Sequence, residues 1–307
     1  MDKKLTLSVS PHIHSGRSTT KIMLDVIIAL IPTAIVGTVV FGLRALAVIA
    51  ACIATCVICE FLFNLITKKK QTIVDLSAVV TGLLLALNLP ANIPIWQAVI
   101  GSMFAIIVVK CIFGGIGKNL VNPAITARVF MLLSFGSVAR AAFPVDSVSS
   151  ATPLVLLDAG NSPSLLRLLV GNHGGAIGEV CALALIAGGL YLIGRGVITW
   201  HIPVAFVGFT FVFMFIFSGF DLYFSTAQIL SGGLLIGAIF MATDYVTSPS
   251  SAWGKIIFGF GAAFITVVIR LWASLPEGVS YAILLMNIIC PYIDKLPPRK
   301  LFGGKKI

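Results

Sequence analysis

Charged residues are scarce in this sequence of 307 residues, since Asp, Glu, Lys and Arg together make up only 10% of it. Hydrophobic residues make up 58%, and the mean hydropathy is +1.07. A soluble domain of this size needs a far more polar surface, so the composition excludes a soluble protein and indicates a polytopic membrane protein. The apolar runs are long and continuous, which favours membrane helices over the alternating pattern of barrel strands.

Several motifs are also missing. The basic residues behind the formal charge of +10 fall near the ends of apolar runs, as the positive-inside rule expects, so we expect no nucleic-acid partner. The glycines of Gly114–Lys118 match neither a P-loop nor a Rossmann turn, which leaves NAD binding by this chain unsupported. Cys52, Cys56 and Cys59 share one helical stripe and favour buried apolar packing over an iron–sulfur site. The scattered histidines predict no metal site.

Ten apolar segments mark the candidate membrane helices. In chain order they are Ile22–Phe41, Ala45–Ile66, Ile73–Leu89, Ile95–Phe113, Pro123–Phe135, Ala176–Ile193, Val197–Phe217, Ala227–Met241, Lys255–Leu271 and Val279–Tyr292. A span needs about 20 residues, so the short third, fifth, eighth and tenth segments predict half-helices or tilted pieces. Irregular backbone at membrane depth must be shielded by protein or must line a cavity.

Two stretches of the chain, Thr81–Pro90 and Gly232–Pro249, look alike: each is a glycine-containing apolar run that ends near a proline, before a tryptophan and a further span. Two halves of five segments predict an inverted repeat.

The predicted fold class is an all-α polytopic membrane protein with about ten transmembrane segments, arranged as a 5+5 inverted repeat with half-helices, like a urea- or ammonium-channel bundle. The predicted division is an N-terminal membrane half over residues 1–135, an extracytoplasmic loop over 136–174 and a C-terminal membrane half over 175–307.

Lysine and arginine are distributed unevenly when the chain is threaded through ten crossings with its N-terminus inside. Most of them then fall on the side that carries both termini. Only four arginines fall on the opposite side: Arg44, Arg140, Arg167 and Arg270. The positive-inside rule therefore predicts a multi-pass protein of the plasma (inner) membrane with both termini in the cytoplasm and the 136–174 loop outside.

The outer loop contains the string Asp146-Ser147-Val148-Ser149-Ser150-Ala151-Thr152-Pro153. This string resembles the acceptor sequence at which a flavin transferase esterifies FMN to a threonine in membrane redox subunits. Thr152 would supply the hydroxyl of the phosphoester, and Asp146 with the small Ser150 and Ala151 would suit docking to the transferase. The alternative is an ordinary hydroxyl-rich loop, in which Ser150 or Thr152 caps a helix that starts at Pro153.

Four segments carry a resemblance to a known family: Gly114–Ala124, Ser150–Leu154, Met241–Pro249 and Tyr281–Asn287. They resemble segments of RnfD and NqrB, which are membrane subunits of ion-translocating Rnf and sodium-pumping NADH:quinone oxidoreductase complexes. The first has the family's Gly-Lys-Asn-x-x-Asn-Pro-Ala pattern. The resemblance covers essentially the whole chain, and the lack of a long N-terminal extension looks like RnfD. One departure is Ser150, where the family usually has glycine. Serine is small, so we expect flavinylation to survive.

The resemblance implies an electron-transfer subunit of an Rnf-type enzyme complex, which couples electron flow between ferredoxin and NAD to the translocation of Na⁺ or H⁺. It implies covalent FMN on Thr152 and a second, non-covalent flavin (riboflavin) within the helix bundle. The implied partners are the other subunits, RnfA, RnfB, RnfC, RnfE and RnfG, together with an FMN transferase and the lipid bilayer. The chain itself would be an electron carrier without catalytic side chains.

Polar residues near the predicted half-helix ends are candidates for the second flavin site. A buried isoalloxazine ring needs an apolar slot with a few hydrogen-bonding groups. Asn88, Asn122 and Asn287 lie near such ends and would reach the ring's carbonyl groups. The alternative is that these asparagines cap helices.

Charged residues within the apolar segments are further candidates, because an intramembrane charge is costly and commonly marks a function. Arg128 would hold an FMN phosphate or stabilise a reduced, anionic flavin, or alternatively would pair with Asp244 or Glu60. Asp244 lies beside the second broken helix and would bind a cation or ribityl hydroxyls, or cap a helix. Asp25, Glu60 and Asp75 lie near segment ends, where we expect the membrane interface.

A solute channel or secondary transporter of the urea- or ammonium-channel-like class, without a redox cofactor, is the alternative function. It accounts for the predicted repeat and its half-helices. It leaves the Asp146–Thr152 string without a purpose, as does a purely structural membrane subunit. The electron-carrier interpretation accounts for the predicted repeat with its half-helices and also for the Asp146–Thr152 string.

Overall fold

The computed structural model describes residues 18–136, 138, 153–158, 163–171, 173–273 and 278–296, and its regular elements are helices. The helices before the predicted outer loop are α1 (Thr19–Phe41), α2 (Leu43–Ile66), α3 (Ser77–Leu87), α4 (Ile95–Met103, continued as a π-helix over Phe104–Cys111) and α5 (Pro123–Ser134). The later helices are α6 (Pro153–Asp158), α7 (Leu165–Val170), α8 (Ala182–Gly194), α9 (His201–Phe217), α10 (Leu222–Leu230), α11 (Leu234–Ile236, continued as a π-helix over Gly237–Met241), α12 (Ala252–Trp272) and α13 (Val279–Ile293).

Long apolar helices are the main feature of the described residues. α1, α2 and α12 are each long and apolar enough to cross a membrane alone. α10 and α11 with its π-helical extension form a further candidate span, bent by 64° at its break. The described residues are therefore those of a helical membrane protein, as predicted. The ten crossings, the inverted repeat and the orientation stay predictions.

Capping side chains fix where several helices begin. The Asn122 Oδ1 atom accepts hydrogen bonds from the Ala124 and Ile125 backbone N–H groups, at 3.0 and 3.3 Å. Pro123 follows at the first helical position, where its missing N–H group costs nothing. Ser251 starts α12 in the same way, since its Oγ accepts from the Gly254 N–H at 3.0 Å. These caps satisfy backbone donors that have no partner within the helix.

The sixth predicted segment begins too early. The apolar run starts at Ala176, but α8 begins only at Ala182. The residues between them lie along the end of α3, where the Gly178 N–H donates to the Leu87 carbonyl oxygen at 2.7 Å. The last carbonyl groups of a helix have no partner within it, so this non-helical stretch supplies one. Apolar composition identified a buried stretch here, but not its conformation.

The break between α10 and α11 lies inside the predicted eighth segment, Ala227–Met241, which the short length marked as a half-helix or a tilted piece. Gly232 has a φ of +66°, in the left-handed region that only glycine adopts without strain. The Ser231 hydroxyl turns back and donates to the Ala227 carbonyl oxygen at 2.6 Å, at the end of α10. The chain then turns into α11. The paired glycines at this point therefore allow an apolar segment to change direction inside the bundle.

α1 packs closely against α8, and glycines make this approach possible. A Cβ atom added at Gly188 would collide with the Ala29 carbonyl oxygen. A Cβ atom added at Gly37 would lie 2.5 Å from the Ile177 carbonyl oxygen. Because α1 and α8 belong to different predicted halves, this contact joins the two parts of the chain.

Replacing Gly188 by leucine is expected to destabilise the protein by about 1–3 kcal/mol, because backbone cannot move aside as a flexible side chain can. The measurement is thermal unfolding of the full chain in detergent. Gly208→Leu is the matched control, since Gly208 lies within α9 and a Cβ atom there meets nothing within 4 Å. Equal losses of stability in the two variants would contradict this account of the α1–α8 contact.

Candidate functional site

A cavity of about 280 Å³ lies between the N-terminal part of α1, α3, the end of α8 and the end of α11. Its apolar wall includes Val26, Leu84, Ile198 and Phe240. Its polar lining consists of Thr19, Ser77, Thr81, Lys110, Asn119, Asn122, Thr243, Asp244 and Tyr245. A mostly apolar space with a few polar groups, close to the lower end of the usual size range, is typical of a small-molecule site.

Asn122 is the predicted asparagine that lines this cavity. Besides capping α5, its Nδ2 group donates to the Met241 carbonyl oxygen at 3.2 Å. The side chain thus ties the start of α5 to the end of α11. The capping role that the sequence left as an alternative is confirmed for Asn122, and its place in the wall keeps it next to any molecule in the cavity.

The other two predicted asparagines, Asn88 and Asn287, lie behind the wall. Asn88 donates to the Leu84 carbonyl oxygen at 2.7 Å, at the end of α3. The Asn287 amide fits its surroundings when it donates to the Thr247 carbonyl oxygen and accepts from the Asn122 N–H, both at 3.2 Å. Both side chains hold the backbone of the wall in place, and neither is among the described residues that line the cavity. Their predicted flavin contacts stay predictions.

Asn119 is a further lining residue, which the sequence reasoning did not single out although it belongs to the Gly-Lys-Asn-x-x-Asn-Pro-Ala segment. Its Oδ1 atom is shielded from solvent and accepts no hydrogen bond from the described residues. A buried acceptor without a donor costs free energy, so this oxygen suits a ligand that carries an N–H or O–H group.

Asp244 lines the cavity from the loop that joins α11 to α12. Its Oδ2 atom accepts a hydrogen bond from the Thr247 hydroxyl at 3.3 Å, and its Oδ1 atom accepts one from the Val246 N–H at 3.4 Å. Burial raises the pKa of the Asp244 carboxyl, and these hydrogen bonds lower it by less. The carboxyl group therefore keeps its proton to a higher pH than an exposed one, and a ligand hydroxyl can bond to either form.

Lys110 lines the cavity from the π-helical end of α4, although the sequence reasoning placed it among the charges of the inner face. It is only 2% exposed, and its Nζ atom lies 2.9 Å from Glu60 Oε2 and 2.5 Å from Ser77 Oγ. Glu60 is also only 2% exposed. The charge of Glu60 is therefore compensated inside the bundle, and its expected depth near the membrane interface stays a prediction.

Arg128 forms a second buried ion pair, with Glu179. Its Nη2 atom lies 3.1 Å from Glu179 Oε1, and its Nη1 atom donates to Asn88 Oδ1. The sequence named Asp244 or Glu60 as the acidic partner, and both suggestions are wrong. Arg128 is not among the described residues that line the cavity. Its guanidinium group instead joins α5 to the end of α3 and to the segment before α8.

The residues of the predicted FMN acceptor, namely Asp146, Ser150, Ala151 and Thr152, lie outside the described residues. Pro153 begins α6, as the sequence suggested. The next residue, Leu154, lies against the break between α10 and α11, because its Cδ1 atom is 2.8 Å from the position of a Cβ atom added at Gly232. Arg270 Nη2 lies 3.3 Å from the same position. The residues directly after the predicted acceptor are therefore anchored beside a buried cationic side chain.

α11 connects this anchor to the cavity. The helix and its π-helical extension, Leu234–Met241, begin just after Gly232 and end just before the loop of Asp244. At about 1.5 Å per residue, the two ends are separated by roughly 12 Å. Leu154, which follows the predicted acceptor by two positions, and the cavity thus lie at opposite ends of one short helix.

The cysteines of the described residues are all buried and free, as their apolar surroundings predict. Cys56, Cys59 and Cys111 pack together with Ala78 and Ile106 in a small apolar cluster. No group of three His, Cys, Asp or Glu side chains among the described residues is placed to hold a metal ion. The cysteines therefore act as small apolar side chains in the structure.

Apolar helices around a partly polar cavity are typical of a polytopic membrane protein. The family described as "NQR2, RnfD, RnfE family" matches residues 6–303. The chain belongs to this family.

Three relatives are similar to the chain over nearly its whole length. The D subunit of the Na⁺-translocating ferredoxin:NAD⁺ oxidoreductase complex of Acetobacterium woodii is 48% identical over 311 residues, which cover 99% of this chain and 96% of the relative. The D subunit of the proton-translocating ferredoxin:NAD⁺ oxidoreductase complex of Clostridium ljungdahlii is 39% identical, and the match covers 98% of this chain and 97% of the relative. The D subunit of the ion-translocating oxidoreductase complex of Stutzerimonas stutzeri is 35% identical, with 93% and 92% covered.

Proposed function

We propose that this chain is the electron-carrying membrane subunit of an Rnf-type complex, with one flavin esterified to Thr152 and a second flavin in the cavity. Its relatives are named as D subunits of ion-translocating ferredoxin:NAD⁺ oxidoreductase complexes. The observation that supports this proposal most is the cavity. Asn119 and Asn122, which belong to the family's Gly-Lys-Asn-x-x-Asn-Pro-Ala segment, form part of its wall. When bound, the two flavins supply the redox chemistry, and the protein sets their positions and potentials.

The role of Thr152 as the FMN acceptor rests on the Asp146–Thr152 string and on the helix that begins directly after it. α6 starts at Pro153, and Leu154 packs against the glycine break. Thr152 is therefore two positions before Leu154, a residue that packs against the bundle at Gly232. A covalent bond in a loop predicted to lie outside the membrane would keep the cofactor from being lost to the medium.

The cavity residues fit a non-covalent flavin by their chemistry. The apolar wall suits a flat aromatic ring, and the Asn119 oxygen, without a donor among the described residues, suits an N–H group of that ring. Asp244 and Thr243 offer hydrogen bonds to hydroxyl groups of a ribityl chain. The residues that are present therefore match both the apolar and the polar parts of riboflavin.

Electron flow would connect the outer acceptor loop with the cavity, and α11 lies between the Leu154 contact and the cavity. The chain has no nucleotide-binding motif for NAD, so other subunits of the complex would meet NAD and ferredoxin. One relative is named for the translocation of Na⁺ and another for that of protons, so complexes with a D subunit of this family are named for either cation. We propose the same coupling of electron flow to cation movement in the complex that contains this chain.

The experiment that tests the proposal is intact mass spectrometry of the full chain, produced together with an FMN transferase. We expect a mass increase of one esterified FMN, which Thr152→Ala removes and the matched control Ser150→Ala keeps. Acid extraction of the same samples reports the non-covalent flavin, which we expect in both variants. An unmodified wild-type chain would exclude the covalent cofactor, and a chain without either flavin would favour the channel or transporter alternative.

A further inference from the structure

The Lys110–Glu60 ion pair has a fixed orientation relative to the cavity. Lys110 and Ser77, which accepts one of its hydrogen bonds, both line the cavity. Glu60 does not line it, and its Oε1 atom accepts a hydrogen bond from the Thr72 hydroxyl at 2.6 Å. Asn64 in turn donates to the Thr72 oxygen at 3.0 Å. Lys110 and its hydrogen-bond acceptor Ser77 therefore form part of the cavity wall, and Glu60 lies behind that wall.

A buried ion pair of this kind is weak evidence for a stabilising role. Removing two charges from water is expensive, and well-packed apolar residues of similar volume commonly give equal or greater stability. Lys110 lies on a π-helical stretch, and such stretches are found frequently at functional sites. Its placement in the wall of a ligand-sized cavity is better explained by an electrostatic effect on what the cavity holds.

We infer that Lys110 is a positioning residue whose charge stabilises negative charge gained by a reduced ligand in the cavity, and that Glu60 sets the strength of this effect from behind. The inference rests on the proposed function, which places a flavin there. A cation in a low-dielectric wall favours the form of the ligand that carries more negative charge. Lys110 and Asp244 are the lysine and the acidic residue among the described lining residues, so they give the cavity a cationic and an acidic side.

The test is the midpoint potential of the non-covalent flavin in the full chain, purified in detergent with Thr152→Ala so that no covalent flavin contributes. Lys110→Met removes the cation, leaves Glu60 behind the wall, and is expected to lower the potential. Glu60→Gln leaves the cation uncompensated and is expected to raise it. Each change should alter the ratio of reduced to oxidised flavin by about tenfold, or ~30 mV for a two-electron couple.

Two controls separate an electrostatic role from a structural one. Lys110→Arg keeps the charge and should keep the potential near that of the parent chain. Arg195→Gln removes a cation that pairs with Asp25 and is not among the described lining residues, and it should leave the potential unchanged. Opposite shifts for Lys110→Met and Glu60→Gln would support the inference, because damage to the fold would not produce shifts of opposite sign.

The outcomes also distinguish this inference from the proposed function. A parent chain that yields no non-covalent flavin on extraction overturns the second flavin site itself. A parent chain that binds flavin, but whose potential stays the same or moves in one direction in both variants, overturns the role of Lys110 alone. If Lys110→Met does not fold, Glu60→Gln decides the matter, and an unchanged potential in that variant overturns the inference.

Discussion

Replacing Thr152 by alanine is expected to abolish electron transfer from ferredoxin to NAD by the assembled complex. The alanine side chain has no hydroxyl group, so it cannot form the phosphoester that the Asp146–Thr152 string predicts. Without the covalent flavin, the outer end of the proposed electron path across this chain is missing. The measurement is ferredoxin-dependent NAD⁺ reduction by membranes that contain the complex, together with cation uptake into vesicles.

Ser150→Ala is the matched control for this experiment. It removes a hydroxyl group two residues away and leaves the acceptor intact, so electron transfer and cation uptake should both persist. Immunodetection of the chain in the membrane shows whether either variant fails to assemble. Full activity of Thr152→Ala, with the chain present in normal amounts, would contradict the proposed role of the outer loop.

Replacing Arg128 by methionine is expected to destabilise the protein by about 3–5 kcal/mol. The substitution leaves the Glu179 carboxylate in the interior without the guanidinium group that lies 3.1 Å from it. It also removes a donor from Asn88, at the point where α3 ends. The measurement is thermal unfolding of the full chain in detergent, in which we expect the largest drop among the charge substitutions.

Arg195→Gln provides the comparison for Arg128. Arg195 also pairs with a carboxylate, since its Nη2 atom lies 3.3 Å from Asp25 Oδ1, but its side chain is 59% exposed. Solvent screens such a pair, so removing Arg195 should cost far less stability than removing Arg128. The double substitution Arg128→Met with Glu179→Gln should recover part of the lost stability, because it removes both charges. Similar losses for Arg128→Met and Arg195→Gln would contradict the assignment of a buried pair.

Much of the helical pattern was predictable from apolar runs and turn residues. The first segment was expected over Ile22–Phe41, and α1 covers Thr19–Phe41, with Ser18 as its capping residue. The eighth segment, Ala227–Met241, was expected to be a half-helix or a tilted piece, but the position of its break at Gly232 was not predicted. The start of α8 was not predictable, since Ala176–Cys181 is as apolar as a helix, and only the neighbouring end of α3 explains its non-helical path.

The charged contacts were the least predictable part of the candidate site. Lys110 and Glu60 are 50 positions apart, and each lies near the end of an apolar run, where the sequence reasoning placed both at the edge of the membrane. Their pairing depends on how α2 and α4 pack, and side-chain spacing carries no information about that. An ion pair was the alternative role predicted for Arg128, but its partner Glu179 lies in a stretch that was expected to be helical.

The short helix α11 has a mechanical consequence. One end follows the glycine against which Leu154 packs, and the other is tied to Asn122 through the Met241 carbonyl oxygen. A short helix that is held at both ends moves as a unit, because its backbone hydrogen bonds keep its length fixed. A displacement of Leu154 would therefore shift the cavity wall at Met241 and Asn122. A displacement of that wall would likewise shift the contact between Leu154 and Gly232.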